Sequence, residues 1–476
     1  MEQMVLLNGL ERGRRFFAQA SLLVFGILLA GALRGSNAVG APALGSGGRL
    51  QSLRIDGDFD PGINFLNATV RLRFSGPVGN WQLSLANELQ LHWVRGGSMN
   101  VLPFASETGL FTVQCPPENE LEMSYSGRLA SQPDPFAASV KPGEAAGSDD
   151  LRFLSYVKDY YPHPELDFSA MEMNIRIPSG WNCLGSGALR SVLPEASGNT
   201  YSFANPAAKG MSLVCGRFLQ LGQLAADIPV RLHGWPGFDY RRFYTDAGIT
   251  RLISFYTERF GALDVPELNI LFRRGINFGG ISYSGLIVLN VDKGWTSLSP
   301  RARRSLQSGS LLAMDDAWSD LLAHEVSHQW WGGLISWETA ADNWITEGLA
   351  AYSSLLFLRE CRGEKAYAKV CRSFRGGVQR YAGRGVPADG NKLNLLHHDK
   401  NVYHALVYMK PALMLAALAD SIGEAELCRR LRAILQECRC RNVGTAEFLQ
   451  RLSAGDEALR LRLDKWICGR GLPKGL

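Results

Sequence analysis

The stretch that decides the fold runs over residues 321–350 and reads LLAHEVSHQWWGGLISWETAADNWITEGLA. Apolar residues recur at helical spacing on both sides of Gly332-Gly333, which predicts a helix, a turn and a second helix. In the first helix His324 and His328 stand four residues apart, so their side chains project from one face. Two imidazoles on one face can each bring a ring nitrogen to the same metal ion. The sequence therefore predicts a metal site on this helix.

A third ligand follows from the spacing after His328. The pattern that ends in a third histidine is excluded, because Trp331 and Leu334 occupy the places that the pattern reserves for glycine and histidine. Glu347 follows His328 after eighteen residues, and a turn before a second helix brings it back to the histidines. Two imidazoles and one carboxylate leave a coordination position for water, as a catalytic zinc site requires. We predict that His324, His328 and Glu347 bind one Zn2+ ion, although another divalent ion can use the same donors.

This pattern resembles the gluzincin zinc aminopeptidases, the family of membrane alanyl aminopeptidase and leukotriene A4 hydrolase. The resemblance begins with His324-Glu325-x-x-His328 and continues with Glu347 inside Trp-Ile-Thr-Glu-Gly-Leu-Ala. It extends over about residues 50–474. Four further segments resemble family segments in the family's order: Val214-Cys215-Gly216-Arg217-Phe218, Trp330-Trp331-Gly332, Tyr408-Met409-Lys410-Pro411-Ala412, and residues 466–473 (WICGRGLP).

The resemblance implies an α+β, multidomain fold. An N-terminal β-rich, saddle-like domain is followed by a mostly helical, thermolysin-like zinc peptidase domain. The residues agree, because short β-branched runs such as 68–74 and 171–177 give way to helical periodicity after about residue 236. We predict an N-terminal β domain at 50–235 and a catalytic domain at 236–476.

The amino terminus carries a membrane signal. Residues 16–33 (FFAQASLLVFGILLAGAL) contain no charge, and Arg12, Arg14 and Arg15 stand before them. This predicts a cytoplasmic tail at 1–15, a transmembrane anchor or signal segment at 16–33 and a flexible linker at 34–49. The segment fits an anchor or a cleaved signal, and we favour the anchor. The catalytic domain is then extracytoplasmic, and it is secreted if the segment is cleaved.

Three residues complete the predicted catalytic machinery. Glu325 takes a proton from a zinc-bound water, whose pKa the metal lowers to about 7, and returns it to the leaving amine. The resemblance assigns the donor to the oxyanion to Tyr408, and Tyr403 is its nearest competitor. Asp342 matches an aspartate of the family motif, and we predict that it orients a ligand imidazole.

One departure from the family concerns the substrate's free amino terminus. The family carries Gly-Ala-Met-Glu-Asn before the zinc helix, and its glutamate binds the α-ammonium group. The corresponding residues here are Gly279-Gly280-Ile281-Ser282-Tyr283, so serine replaces glutamate and supplies no charge. We predict altered amino-terminus recognition. Gly279, Gly280, Ser282 and Tyr283 are predicted to pair with an extended substrate backbone, and the alternative is an ordinary strand after a glycine turn.

Composition argues against nucleic acid as a partner, and the cysteines fit two interpretations. The 476 residues include 50 basic and 45 acidic ones, and the net charge of +5 is too small to predict nucleic-acid binding. The nine cysteines form no Cys-x-x-Cys pair. They are small buried hydrophobic residues, or some form disulfides if the domain is exported.

The leading hypothesis is a membrane-anchored zinc metallopeptidase that acts on peptides and is aminopeptidase-like. A second hypothesis is a hydrolase of another substrate, because the resembled family includes an epoxide hydrolase. A third is a non-catalytic binding or scaffold protein that keeps the fold. The presence of His324, Glu325, His328 and Glu347 together argues against the scaffold. The oligomeric state stays open.

Overall fold

A computed structural model provides the structure of the protein. It describes residues 48–76, 79–97, 102, 104–107, 109–114, 117–129, 151–164, 167–273, 280–291, 316–381, 400–469 and 472. The predicted tail and membrane segment, nearly all of the predicted linker, and Gly279 lie outside these residues.

The N-terminal half of the described chain is built from strands with one buried face. In β2, for example, Leu66, Val70 and Leu72 alternate with exposed or half-buried residues, as expected for a strand on a core. The sheets run β11-β12-β9-β1-β2-β7-β4, β10-β13-β8 and β3-β6-β5, and β1 and β9 are parallel. The strands are β1 Arg49–Asp60, β2 Phe65–Ser75, β3 Asn80–Ser84, β4 Gln90–Gly96, β5 Phe104–Glu107, β6 Leu110–Gln114, β7 Glu120–Arg128, β8 Arg152–Leu154, β9 Ser169–Pro178, β10 Asn182–Gly185, β11 Ala188–Glu195, β12 Gly198–Ala208 and β13 Leu213–Gly216.

The C-terminal half adds a five-stranded sheet and most of the helices. Its strands are β14 Leu219–Ala225, β15 Pro229–Gly234, β16 Leu268–Arg273, β17 Gly280–Tyr283, β18 Leu286–Asn290, β19 Ile335–Trp337 and β20 Arg441–Val443. Its helices are α1 Asp246–Phe260, α2 Asp316–Ser327, α3 Trp344–Arg362, α4 Glu364–Tyr381, α5 Lys400–His404, α6 Lys410–Ile422, α7 Glu424–Glu437, α8 Thr445–Leu452 and α9 Glu457–Cys468, and a π-helical segment, Ala405–Met409, joins α5 to α6.

The five-stranded sheet is covered on both faces. Its order is β14-β15-β16-β18-β17, and every residue of β16 and β18 is buried, as in sheets that lie between two layers. Ile270 and Leu289 belong to the large core shared with the helices, whereas Leu271 and Val288 pack against the sheet β10-β13-β8. Among the described strands β17 is an edge of this sheet. It lies beside helix α2, which carries His324.

The predicted fold class is confirmed as α+β, with a β-rich N-terminal region and a helical C-terminal region. The predicted domain boundary falls at residue 235, after β15. Sheet membership, however, changes between β13 and β14, because Val230 and Leu232 already lie in the core of the helical region. The sequence pattern does not reveal this change, because β14 and β15 have the same short-strand pattern as the strands before them.

One helical stretch among the described residues, Asn401–Ile422, is long and apolar enough to cross a membrane, but most of it is buried inside the fold. Within it Lys410 is fully buried, and its Nζ donates to the backbone oxygens of Ile467, at 3.1 Å, and of Gly469. These contacts hold the end of α9 against α6. The stretch is therefore a core helix of the fold.

Candidate functional site

Helices α2 and α3 bring the three predicted metal ligands together. His324 Nε2 lies 3.0 Å from His328 Nε2, and Glu347 Oε2 lies 3.3 Å from each of these nitrogens. All three side chains are buried. They form a candidate zinc-binding group, and the prediction that these residues converge is confirmed.

The spacing of the three atoms fits a zinc ion. A tetrahedral zinc ion with bonds of about 2.0–2.1 Å to nitrogen and oxygen holds its ligand atoms about 3.3 Å apart. The three observed separations are 3.0, 3.3 and 3.3 Å. Glu347 Oε2 is buried and, within the described residues, has no partner in hydrogen-bond geometry. A cation is the partner that this arrangement of two imidazoles and a carboxylate oxygen fits best.

The predicted turn between the helices explains the convergence. Gly332 has a φ of 125°, which a residue with a side chain rarely adopts, and its N–H donates to Ile335 O at 2.7 Å. Gly348 follows Glu347 directly and lies against the Pro411 ring, where an added Cβ would approach Pro411 Cγ to 2.5 Å. The same Cβ would lie 3.2 Å from Val407 O, so glycine here lets the start of α6 and the π-helical segment pack closely beside Glu347.

The backbone prepares His328 for a metal. Its Nδ1 lies 2.9 Å from Trp331 O, and since a carbonyl only accepts, Nδ1 carries a proton and Nε2 is the nitrogen that can bind a metal once it has lost its own proton. Burial lowers the pKa of His324 to about 4, which keeps that imidazole neutral. Burial opposes charge on Glu347, but the adjacent imidazoles outweigh it and hold the pKa of this carboxyl well below its usual range. Neutral imidazoles and an ionised carboxylate are the forms that bind zinc.

Glu325 lies between the metal ligands and the edge strand. It is buried, and a Cβ added to Gly280 of β17 would come within 2.8 Å of its Cγ, Cδ and Oε1. Burial raises the pKa of Glu325 to about 8. A carboxyl group with a pKa near the working pH is suited to both accept and return a proton.

Tyr408 lies in the π-helical segment and faces the metal ligands. Its ring is stacked on that of His324, with 6.0 Å between the ring centroids, and the His404 ring stands edge-on to it at 5.1 Å. π-helical segments often occur at functional sites, where they turn a side chain out of the regular helical face. Burial, with the Glu347 charge, raises the pKa of Tyr408 well above its usual range, so the phenol remains a donor.

Gln329, which follows α2 directly after His328, binds the edge strand β17. The helix α2, which carries His324 and Glu325, is called the zinc helix below. Gln329 Nε2 donates to Ser282 Oγ at 2.7 Å and to Tyr283 O at 3.0 Å, and Gln329 Oε1 accepts from Gly285 N at 2.8 Å. Gly280 and Ser282 face the helix, whereas Tyr283 faces the opposite side. The site thus has a strand edge held at a fixed distance from Glu325.

The structure limits the predicted role of Tyr283 to its backbone and corrects that of Asp342. Tyr283 is buried between sheets and its hydroxyl donates to Ser155 Oγ at 3.0 Å, so its side chain does not line the site. Asp342 does not contact an imidazole. Its Oδ2 accepts from Thr339 N and Oγ1, at 2.9 and 2.7 Å, and its Oδ1 accepts from Thr445 N and Oγ1, at 2.8 and 2.6 Å. Asp342 therefore fixes the segment that enters α3 and ties it to α8.

Part of the helical region matches a known protein family. Residues 305–466, which carry the three ligands and Tyr408, match the peptidase family M1 domain. Residues 305–466 are called the M1 domain below, after the family model that they match.

The M1 domain has curated relatives that are aminopeptidases. The chain is 24% identical over 246 residues to endoplasmic reticulum aminopeptidase 2 of Bos taurus, a match that covers 51% of this chain and 24% of the relative. It is 20% identical over 388 residues to puromycin-sensitive aminopeptidase of Caenorhabditis elegans, covering 76% of this chain and 39% of the relative. The chain thus spans about a quarter to two fifths of these relatives.

Solved structures resemble both the β-rich region and the M1 domain. The M1 zinc metallopeptidase of Deinococcus radiodurans superposes with a TM-score of 0.70 at 18% identity, covering 90% of this chain and 96% of that one. A mutant of that enzyme bound to a Tyr-Ser-Ala substrate gives the same TM-score at 17% identity, over 91% and 97% of the two chains. At these identities the likeness shows the fold.

Sequence reasoning missed Gln329 as the residue that fastens the strand, and it missed the contact between Gly280 and Glu325. The first had a signal, because a buried amide directly after a metal-binding histidine must find partners. The second had none, since Gly280 and Glu325 are far apart in sequence and glycine shows no side-chain pattern.

Proposed function

We propose that this protein is a zinc-dependent metallopeptidase that hydrolyses peptide bonds with Glu325 as the general base. The convergence of His324, His328 and Glu347, with Glu325 beside them, carries the proposal. A bound zinc ion supplies Lewis acidity to a water molecule and to the scissile carbonyl. The chain's own residues supply the orientation and the proton transfers.

Glu325 moves the proton. Its buried carboxylate takes a proton from the attacking water and later gives it to the amine that leaves. The Gly280 backbone limits where this carboxylate can lie, so the base is positioned before substrate binds. Removing a positioned general base lowers kcat by about 10²–10⁴-fold.

Tyr408 stabilises the oxyanion. Its phenol stays protonated at neutral pH, and a donor aimed at the developing negative charge acts mainly in the transition state. The Tyr408 ring stacks on the imidazole of His324, whereas the hydroxyl of Tyr403, the competing residue, accepts from Asn343 Nδ2 at 2.7 Å. This favours Tyr408 for the role.

The backbone of β17 binds the substrate as an added strand. An edge strand offers unpaired N–H and C=O groups to an extended peptide. Gly280 and Ser282 lie on this strand, on the side of Glu325. Ser282 carries no charge, and its hydroxyl already accepts from Gln329. We therefore infer that recognition of a free α-ammonium group is altered compared with aminopeptidases of the resembled family.

The test is hydrolysis of one fluorogenic peptide series, offered free or acetylated at the amino terminus, by the purified full chain. Glu325→Gln should retain zinc and lose activity, and Glu258→Gln, on the exposed side of α1, is the matched control that should keep it. Cleavage of free peptides only would support a strict aminopeptidase. Cleavage of acetylated peptides as well would support a broader peptidase.

Other outcomes would overturn the proposal. Bound zinc without Glu325-dependent cleavage of any peptide would move the function to the scaffold hypothesis or to a non-peptide hydrolase. A purified chain that binds no zinc would remove the metal from the mechanism.

We also propose that residues 16–33 anchor the chain in a membrane, with the peptidase on the extracytoplasmic side. The uncharged run and the preceding arginines support this placement. The test is protease accessibility of the M1 domain in intact cells, with sequencing of the mature amino terminus. Protection of the domain in intact cells would contradict the orientation, and an amino terminus within 34–49 would indicate a cleaved signal.

A further inference from the structure

Two cysteines far from the metal ligands in sequence lie opposite each other in the sheet β10-β13-β8. The antiparallel register pairs Cys183 of β10 directly with Cys215 of β13. Both side chains are buried in the core of the β-rich region, and their Sγ atoms are 3.0 Å apart. Neither residue takes part in the proposed hydrolysis.

The backbone already has the geometry of a cross-strand disulfide. Directly opposed residues of antiparallel strands have Cα atoms about 4.5–5.5 Å apart, and their side chains leave the same face of the sheet. Disulfides span Cα separations of about 4.4–6.8 Å. The register thus suits a bond between Cys183 and Cys215, which forms as the two Sγ atoms move together from 3.0 Å.

The environment argues against a reactive thiol at this place. Burial raises the pKa of the Cys183 thiol well above its usual range, which disfavours a thiolate nucleophile or metal ligand. A free thiol is also a weak hydrogen-bond donor, so two of them gain little from close approach. The pairing is explained best by a covalent link.

We propose that Cys183 and Cys215 form a structural disulfide when the chain folds in an oxidising compartment. The two thiols lose two protons and two electrons as the S–S bond forms, and a disulfide-bearing oxidant, a small molecule or a thiol oxidoreductase, is reduced to two thiols. Exchange takes place during folding, before the core closes over the sulfurs. The predicted extracytoplasmic location is the kind of compartment in which such bonds persist.

The link closes a loop that contains the hairpin β11–β12, on the outer side of the seven-stranded sheet. It also fixes β13, which leads directly into β14 of the five-stranded sheet. The disulfide therefore stabilises the β-rich region at its junction with the five-stranded sheet. The proposal does not depend on peptidase activity.

Peptide mapping tests the bond directly. The full chain is exported to an oxidising compartment, such as a bacterial periplasm, and free thiols are blocked with N-ethylmaleimide during lysis in a denaturant, which exposes the buried cysteines. Trypsin then releases residues 177–190 with Cys183 and residues 210–217 with Cys215. We expect one linked species, lighter by two hydrogens than the sum of the two peptides, that separates on reduction. Cys428, buried in α7, is the matched control and should carry the blocking group.

Separately blocked peptides, in a preparation whose other exported proteins carry their disulfides, would overturn the proposal, as would a link from either peptide to a third cysteine. Thermal unfolding provides a second measurement. A phosphine reductant should lower the unfolding midpoint of the native chain by about 5 °C. It should leave the midpoint of the double variant Cys183→Ala, Cys215→Ala unchanged, and an equal shift in both proteins would count against the bond.

Discussion

Gly280 of the edge strand lies directly against the carboxyl group of Glu325 of the zinc helix. A Cβ on Gly280 would come within 2.8 Å of Glu325 Cγ, Cδ and Oε1, closer than a real Cβ approaches another heavy atom. The strand that is proposed to bind the substrate thus also limits the position of the proposed base. In the proposed mechanism this pair of residues couples substrate placement to proton transfer.

Gly280→Ala should lower kcat by about 10²-fold, because small displacements of a catalytic group have effects of that order. The side chain that must move is the end of Glu325, so the stability of the fold should change little. Zinc content should also remain, since no metal ligand is displaced. Steady-state kinetics, metal analysis and a urea melt check the three parts.

The matched control is Gly376→Ala in α4, where an added Cβ meets no atom within 4 Å. Alanine in a helix is favoured over glycine by about 1 kcal/mol, so this variant should be slightly more stable and equally active. A Gly280→Ala enzyme with the activity of this control would show that the contact does not position the base.

Tyr408→Phe should lower kcat by about 10²–10³-fold and leave KM nearly unchanged. The hydroxyl is proposed to act on the oxyanion, which exists only along the reaction path, so substrate binding loses little. The buried ring stays in place against His324, so the fold and zinc content should be kept. The measurement is kcat and KM determined separately.

Tyr403→Phe tests the competing assignment. Its hydroxyl accepts from Asn343 Nδ2, and its loss should cost about 1 kcal/mol of stability with only a small change in kcat. If Tyr403→Phe abolished turnover and Tyr408→Phe did not, the roles of the two tyrosines would be exchanged.

The metal ligands were predictable from the sequence because their geometry is local. His324 and His328 share a helical face through a spacing of four, and Gly332-Gly333 shows where the chain must turn. Glu347 then lies on the helix that follows this turn. Each step depends on a short range of residues and on standard helix geometry.

The other site roles depend on neighbours that are distant in sequence. The position of Asp342 near Glu347 suggested an imidazole partner, but its oxygens meet Thr445, about a hundred residues away. Tyr283 and Ser282 are adjacent, yet strand alternation places their side chains on opposite faces. Spacing alone does not reveal which face a short strand turns to the site, so it could not show that only the backbone of Tyr283 is open to the predicted pairing.

Asp342→Ala should destabilise the protein without removing the metal. The Asp342 carboxylate accepts four hydrogen bonds from Thr339 and Thr445, and its loss leaves backbone N–H groups without acceptors. We expect a loss of about 2–4 kcal/mol in the free energy of unfolding. A urea melt measures it, with Asp420→Ala, at an exposed position of α6, as the control. Zinc loss at unchanged stability would instead support the imidazole-orienting role.

Zinc uptake by the metal-free protein should release protons and weaken as the pH falls. Burial alone would lower the pKa of His328, but the Glu347 carboxylate outweighs it and raises the pKa of this imidazole to about 9. Below that pH His328 must lose a proton before it binds the metal, whereas His324, with its pKa of about 4, is already neutral. The apparent Kd for zinc should therefore rise about tenfold or more for each unit from pH 8 down to pH 6.

The slope of the zinc Kd against pH distinguishes proton release by His328 from proton release by Glu325. Glu325, with a pKa of about 8, also holds a proton over most of this range, and a nearby cation favours its ionised form. The native chain should then release more than one proton for each zinc bound, and Glu325→Gln should release about one. Competition with a chelator across the pH range gives the slope, and calorimetry in buffers of different ionisation enthalpy counts the protons. A zinc Kd that does not change with pH in either protein would contradict this prediction. It would mean that the Nε2 atoms of His324 and His328 bind zinc without losing a proton, and that the Glu347 carboxylate does not raise the pKa of His328.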